Sequence, residues 1–120
     1  MEMVQTTVVL IHYFSPSNSI VSLILEVEIT LQNRAAMNTR LRVLYTDSNG
    51  NPAIAETGRL WAGQTKSITL PADAEHITIV VEKDIFFESW RVAYKGPLTN
   101  GNQCIRIVGV TFISKIHPCK

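Results

Sequence analysis

The residues best placed to bind a metal ion lie in a polar segment near the middle of the chain. Asp47, Asn49 and Asn51 occupy the first three ligand positions of a calcium-binding loop of the EF-hand type. Such a loop needs glycine at its sixth position and glutamate at its twelfth, whereas this chain has Pro52 and Gly58 there. Because the match fails where the geometry is most demanding, the segment is predicted to form a polar turn, and no metal site is expected.

The chain contains two cysteines, Cys104 and Cys119. A thiol nucleophile would need a base such as His117, and a zinc site would need a fourth ligand and a ligand spacing that the sequence lacks. An even number of cysteines in a small chain favours a disulfide, with two free thiols as the alternative. A bridge would close a loop of about 15 residues and stabilise the fold by roughly 3 kcal/mol. We therefore predict a bridge that fastens the end of the chain to the domain.

No other arrangement of residues is typical of catalysis. The sequence has no Gly-x-Ser-x-Gly motif, no phosphate-binding glycine loop and no dinucleotide fingerprint. The three histidines and ten acidic residues are scattered along the chain. We therefore expect a protein that is not an enzyme and that needs no cofactor.

The charge of the chain argues against a polyanionic partner. With 11 basic and 10 acidic side chains the formal net charge is +1, so no overall field attracts nucleic acid. Arg34, Arg40 and Arg42 could form a basic patch beside Tyr45. The simpler interpretation is that these arginines form cross-strand ion pairs with acidic neighbours, namely Glu26, Glu28 and Glu82. No nucleic-acid partner is expected.

Apolar and polar residues alternate along most of the chain, as in β-strands with one buried and one solvated face. The clearest case begins at Leu23, where every second residue as far as Leu31 is apolar. Turn residues separate such segments, and Pro52 is expected to end the pairing of its strand. The predicted strands lie near residues 4–13, 23–31, 40–46, 58–61, 66–70, 76–82, 90–95 and 105–116.

These strands predict a single all-β domain over residues 1–120. Eight short strands at even spacing favour an antiparallel β-sandwich, with a flattened barrel as the alternative. Apolar residues make up 46% of the chain, which is enough for one core. No apolar run is long enough to cross a bilayer.

Two aromatic residues, Phe86 and Phe87, lie between the strands predicted at residues 76–82 and 90–95. The inward positions are odd-numbered in the first strand and even-numbered in the second, so the phase must change between them. No Gly, Pro or Asn is present for a tight turn, which predicts a wider connection or a β-bulge. Burial of the rings as a plug under the end of the sandwich is the favoured interpretation, and an exposed binding surface is the alternative.

Two functional hypotheses follow. The first is a secreted, non-enzymatic and lectin-like binding module that recognises a glycan or protein through loops at one end of the sandwich. These loops are residues 47–51, 85–87 and 97–102, and Trp61 could stack on a sugar. The alternative is a membrane-active, pore-forming toxin-like protein whose aromatic loops enter the membrane interface. The candidate binding residues are Tyr13, Phe14, Asp47, Asn49, Trp61, Phe86 and Phe87.

The expected location follows from the cysteines. The N-terminus lacks the basic start and long apolar segment of a secretory signal, so the chain is either intracellular or a mature form without its leader. Disulfides persist in oxidising compartments, which favours an extracellular protein. Open edge strands would also allow pairing into a homodimer.

Overall fold

The computed structural model describes residues 26–99 and 101–119, which form eight β-strands and no helix. The strand predicted at residues 4–13 lies outside this part of the chain. The strands are β1 (Val27–Ala35), β2 (Thr39–Thr46), β3 (Pro52–Leu60), β4 (Thr65–Leu70), β5 (Glu75–Asp84), β6 (Trp90–Pro97), β7 (Asn102–Val110) and β8 (Ile113–Pro118).

The strands form two sheets of four strands each. Sheet I has the order β4-β1-β7-β8, and sheet II has the order β3-β2-β5-β6. Neighbouring strands are antiparallel, except that β1 and β7 are parallel. Each sheet ends in two edge strands, so the described residues form the predicted β-sandwich and not the flattened barrel.

The core follows from the alternation in the sequence. In β1 the odd-numbered residues from Val27 to Ala35 are buried, and the even-numbered residues lie on the outer face. Inward side chains of both sheets meet in one cluster, and fully removing such an aliphatic side chain from water stabilises the fold by about 1.5–3 kcal/mol. Its largest fully buried apolar members are Ile29, Leu31, Leu41, Val43, Leu60, Leu70, Ile79, Val81 and Ile107.

The largest differences from the predicted strands concern β3, which was expected near residues 58–61, and the last predicted strand. Pro52 begins β3 and pairs with Thr46, whereas it was expected to end the pairing. A proline is tolerated there because it is the first residue of an edge strand. The segment predicted as one strand over residues 105–116 folds back on itself as β7 and β8, joined by a turn at Thr111 and Phe112.

The predicted disulfide is present. Cys104 on β7 and Cys119, just after β8, are bridged with their Cα atoms 5.3 Å apart. The backbone N–H of Cys119 also donates to the Cys104 carbonyl at 3.2 Å. The bridge therefore fastens edge strand β8 to its neighbour in sheet I.

The directions of the strands place four connections at the same end of the sandwich. Because β7 runs parallel to β1, the β7–β8 turn lies beside the β1–β2 connection, where the Ala36 N–H donates to the Gly109 carbonyl at 2.9 Å. The Asp84 N–H donates to the Asn38 carbonyl at 3.0 Å, which brings the end of β5 to the same place. The four connections are β1–β2 (36–38), β3–β4 (61–64), β5–β6 (85–89) and β7–β8 (111–112).

Candidate functional site

Exposed apolar side chains cluster at the end of the sandwich that carries these four connections. Phe86 and Phe87 on the β5–β6 connection are 67% and 83% exposed, and Trp61 on the β3–β4 connection is 58% exposed. Phe112 and Ile113 at the β7–β8 turn are 79% and 70% exposed. We call these five residues the aromatic end. Because an exposed cluster of large apolar side chains is uncommon on a small domain, the aromatic end is the candidate binding surface.

The expectation that Phe86 and Phe87 form a buried plug is wrong. Leu60 at the end of β3 and Met37 on the β1–β2 connection are both buried in the core at this end, so the position of a plug is already filled. The two phenylalanine rings contact each other instead, with their centroids 4.4 Å apart. They therefore present one shared apolar surface to the solvent.

The β5–β6 connection is the wide connection that the change of phase predicts, and it covers residues 85–89. The pairing of β5 with β6 also shifts between Val81 and Glu82, but this irregularity lies within the strands and not at Phe86 and Phe87. Within the connection, Phe87 and Glu88 have φ angles of 43° and 71°. A non-glycine residue in this left-handed region costs about 1–2 kcal/mol. Other contacts must therefore hold the connection in place.

The carboxylate of Asp84 provides these contacts. Its Oδ1 accepts hydrogen bonds from the backbone N–H groups of Phe86 and Ser89, and its Oδ2 accepts one from Glu88, each at 3.1 Å. The Asp84 side chain is only 8% exposed, and an Arg59 guanidinium nitrogen lies 3.5 Å from Oδ2. Arg59 thus balances the charge of a carboxylate that is withdrawn from water.

Two arginines and two tryptophans lie next to this connection on sheet II and the adjoining β3–β4 connection. The Arg40 guanidinium lies 4.2 Å from the centre of the Trp90 ring, and Arg59 lies 5.4 Å and 5.6 Å from Trp61 and Trp90. Such cation–π contacts are attractive. Glu88 forms an ion pair with Arg59 and accepts a hydrogen bond from Trp90 Nε1 at 3.1 Å. The β5–β6 connection is therefore tied to β3 and β6 by side chains as well as by backbone.

The predicted cross-strand ion pairs are confirmed for Glu82. Its carboxylate lies 2.5 Å from Arg40 and 3.8 Å from Arg42, and Arg42 also pairs with Glu56 at 2.9 Å. Arg34 instead donates to a backbone carbonyl of the β3–β4 connection at 3.2 Å. The charges of Arg40 and Arg42 are thus balanced locally, which removes the basis for a basic patch on this face.

The second apolar tip, formed by Phe112 and Ile113, was missed by sequence reasoning because the reversal between β7 and β8 was not recognised. The signal is a change in the phase of the apolar residues around Gly109, whose φ angle is 113°. Lys83 Nζ, on β5, donates to Ser114 Oγ, on β8, at 3.0 Å. This contact joins the two sheets close to both apolar tips.

The other predicted loops lie at the opposite end of the sandwich. Asp47 and Asn49 are on the β2–β3 connection, and residues 97–102 contain the β6–β7 connection. The expectation that they share one end with Phe86 is wrong, because β2 and β6 end where β5 begins. The Asp47 carboxylate accepts hydrogen bonds from the N–H groups of Asn49 and Asn51, both at 2.9 Å, and so closes a turn.

Tyr13 and Phe14 lie outside the described residues. Within residues 26–99 and 101–119, His, Cys, Asp and Glu side chains form no group of three that could hold a metal ion. The same part of the chain contains no helix of the length and apolarity that a membrane span requires.

A cleft of about 410 Å³ lies at the end opposite the aromatic end. Tyr94, Gln103 and His117 line it beside the disulfide. It shares no residue with the aromatic end, and its lining is contributed by β6, β7, β8 and the segments next to them.

Solved structures of several bacterial toxins share this fold. The cytotoxin suilysin of Streptococcus suis has a TM-score of 0.60 and 16% identity, over 82% of this chain and 24% of the toxin chain. Listeriolysin O has a TM-score of 0.57 and 19% identity, over 82% of this chain and 23% of the toxin chain. A pneumolysin structure, described as that of a sugar-binding protein, has a TM-score of 0.56 and 17% identity, over 82% of this chain and 24% of the pneumolysin chain.

These similarities show the fold alone, because the identities are low. This chain spans about a quarter of the length of each toxin. No protein-family model matches the chain, and no curated protein matches it in sequence.

Proposed function

We propose that this domain binds a membrane surface through its aromatic end, as the attachment part of a toxin-like protein. The observation that carries the proposal is the exposure of the two apolar tips, Phe86–Phe87 and Phe112–Ile113, at the same end of the sandwich. The toxins that share the fold support it. Because this chain covers only about a quarter of their length, pore formation is proposed only for a toxin-like protein that combines such a domain with others.

The energetics favour a membrane interface over water for these side chains. Fully burying one such apolar side chain is worth about 1.5–3 kcal/mol, and aromatic rings are well suited to the boundary between headgroups and acyl chains. The tips come from different sheets, and a hydrogen bond from Lys83 to Ser114 joins the strands next to them. A contact that limits the relative motion of the tips reduces the conformational freedom that is lost when both enter the interface.

The disulfide supports an extracellular location for this function. The Cys104–Cys119 bridge leaves no free cysteine in the chain. Disulfides of this kind persist outside the cytosol. An extracellular protein would meet the outer surface of a target membrane directly.

The direct test uses vesicles of two compositions. We expect the protein to co-sediment with pure phosphatidylcholine vesicles, because apolar side chains and not net charge provide the attraction. Adding a minor share of anionic lipid is expected to change the affinity only slightly, since Arg40, Arg42 and Arg59 are already paired with carboxylates. Binding that requires anionic lipid and disappears in salt would contradict the proposal.

A neutral glycan is the second candidate ligand, and the exposure of Trp61 favours it. The Trp61 ring lies beside Arg59, and the backbone N–H of Trp61 donates to Gln64 Oε1 at 2.8 Å, which holds the connection that carries the ring. Ring faces of tryptophan stack on sugars, and nearby carboxylates and guanidinium groups can pair with hydroxyls.

For this candidate, Trp61→Ala is expected to abolish saturable binding to an immobilised glycan, while Ile54→Ala leaves it unchanged. Ile54 is a matched control because it is also exposed, at 53%, but lies near the opposite end of sheet II. The measurement is titration of both variants against the glycans that the wild-type protein retains from a panel. A wild-type protein that retains none rules the candidate out.

A further inference from the structure

The β5–β6 connection adopts a backbone conformation that its own sequence does not favour. It contains no glycine, proline or asparagine, yet Phe87 and Glu88 both have positive φ angles. Two consecutive non-glycine residues in this region require support from their surroundings. The direction in which the Phe87 side chain leaves the backbone depends on that conformation.

Two backbone hydrogen bonds close the connection, from the Ile85 N–H to the Ser89 carbonyl and from the Ser89 N–H to the Phe86 carbonyl, both at 3.0 Å. Most of the remaining support comes from a single side chain. Asp84 accepts three backbone hydrogen bonds, from Phe86, Glu88 and Ser89, and its own N–H is fixed by the carbonyl of Asn38. One side chain therefore anchors the connection at three points. Hydrogen bonds to a charged carboxylate are stronger than those between neutral groups.

Arg59 holds the same connection from the neighbouring edge of sheet II. Its guanidinium lies 3.5 Å from the Asp84 carboxylate and also pairs with Glu88, which in turn binds Trp90 Nε1. Arg59 thereby fixes both the carboxylate and one of the two left-handed residues. The connection is held by a small network and not by contacts of the phenylalanine rings with the core.

We propose that Asp84, oriented by Arg59, is the positioning residue that holds Phe86 and Phe87 in the outward arrangement needed for membrane binding. This inference rests on the proposed function. Without the carboxylate, Phe87 and Glu88 would relax towards the ordinary φ range, and the two rings would no longer face the same way. Binding would then depend on the fraction of molecules whose connection is correctly formed.

The test compares the removal of two similar carboxylates. Asp84→Ala removes the cap of the β5–β6 connection, whereas Asp47→Ala removes the cap of the β2–β3 turn at the opposite end. If about a tenth of the Asp84→Ala molecules keep the competent arrangement, their affinity for phosphatidylcholine vesicles falls about tenfold. We expect Asp47→Ala to bind as the wild-type protein does, although both variants lose backbone hydrogen bonds.

Backbone amide exchange in solution provides a second readout that requires no membrane. In Asp84→Ala the amides of Phe86 and Glu88 should exchange faster, whereas the Ser89 N–H keeps the Phe86 carbonyl as an acceptor. In Asp47→Ala only the amides of Asn49 and Asn51 should exchange faster. Asp84→Asn is expected to give exchange rates at the Phe86 and Glu88 amides that lie between those of the wild-type protein and those of Asp84→Ala. Its Oδ1 can still accept two of the three hydrogen bonds, but its amide would face Arg59 and the Glu88 N–H with another donor.

The outcomes separate the two claims. The positioning role of Asp84 would be overturned if Asp84→Ala bound vesicles with unchanged affinity. It would also be overturned if Asp47→Ala lost as much affinity for vesicles as Asp84→Ala. Unchanged exchange at the amides of Phe86 and Glu88 in Asp84→Ala would overturn it as well. If the wild-type protein binds no vesicles, the proposed function fails, and the exchange rates alone then decide whether Asp84 sets the conformation of the connection.

Discussion

Replacing Phe86 and Phe87 together by alanine is expected to weaken binding to phosphatidylcholine vesicles about a hundredfold. Full burial of one phenylalanine is worth about 1.5–3 kcal/mol, so even partial burial of two rings reaches about 3 kcal/mol. That free energy corresponds to about a hundredfold in affinity. Both rings are exposed, so the double variant should unfold at nearly the same urea concentration as the wild-type protein. Co-sedimentation and urea titration measure the two quantities.

The control for this prediction removes similar apolar groups from other places. Ile54 and Val92 are 53% and 56% exposed, but they lie on strands β3 and β6 and not on the connections of the aromatic end. The Ile54→Ala/Val92→Ala variant is expected to bind vesicles as the wild-type protein does. An equal loss in both double variants would mean that general surface hydrophobicity, and not the aromatic end, is responsible.

Asn33→Ala is expected to destabilise the fold by about 3 kcal/mol, because Asn33 is fully buried and satisfies three backbone groups. Its Nδ2 donates to the carbonyls of Met37 and Leu60 at 2.8 and 3.0 Å, and its Oδ1 accepts from the Ala35 N–H at 3.0 Å. Removing the side chain leaves these groups unpaired in the core. The free energy of unfolding from urea titration measures the loss.

The matched control for this prediction is Asn49→Ala, an exposed asparagine in the β2–β3 turn. It should change the free energy of unfolding by less than about 0.5 kcal/mol. If the two variants had the same free energy of unfolding, the hydrogen bonds of Asn33 to Ala35, Met37 and Leu60 would not contribute to stability as expected.

The sequence predicts the architecture because the alternation of apolar residues directly reports which face of a strand is buried. The alternation of apolar residues from Leu23 to Leu31 predicts β1, although the described strand continues through Asn33 to Ala35. The alternation does not show that Asn33 belongs to the buried face of the strand, because the partners of its side chain, Met37 and Leu60, are set by tertiary structure. Strand order and the parallel pairing of β1 with β7 are likewise absent from the alternation.

The candidate site was predicted only in part, because tertiary contacts and strand order are likewise absent from the alternation. The change of phase correctly indicated a wide connection at Phe86 and Phe87, but not that other residues already fill the core beneath it. Asp84 carries no sequence signal, since its role depends on three backbone N–H groups that converge only in the folded connection. The separation of Asp47 from the aromatic end follows from strand direction, which periodicity does not encode.

The most direct test of the membrane-binding surface is hydrogen–deuterium exchange of the wild-type protein with and without phosphatidylcholine vesicles. We expect slower exchange on vesicles at the four connections of the aromatic end, with the largest change at residues 85–89 and 111–113. The β2–β3 turn around Asp47, at the opposite end, should exchange at the same rate in both conditions. Protection of that turn, or no protection anywhere, would contradict the assignment of the aromatic end as the surface that binds the membrane.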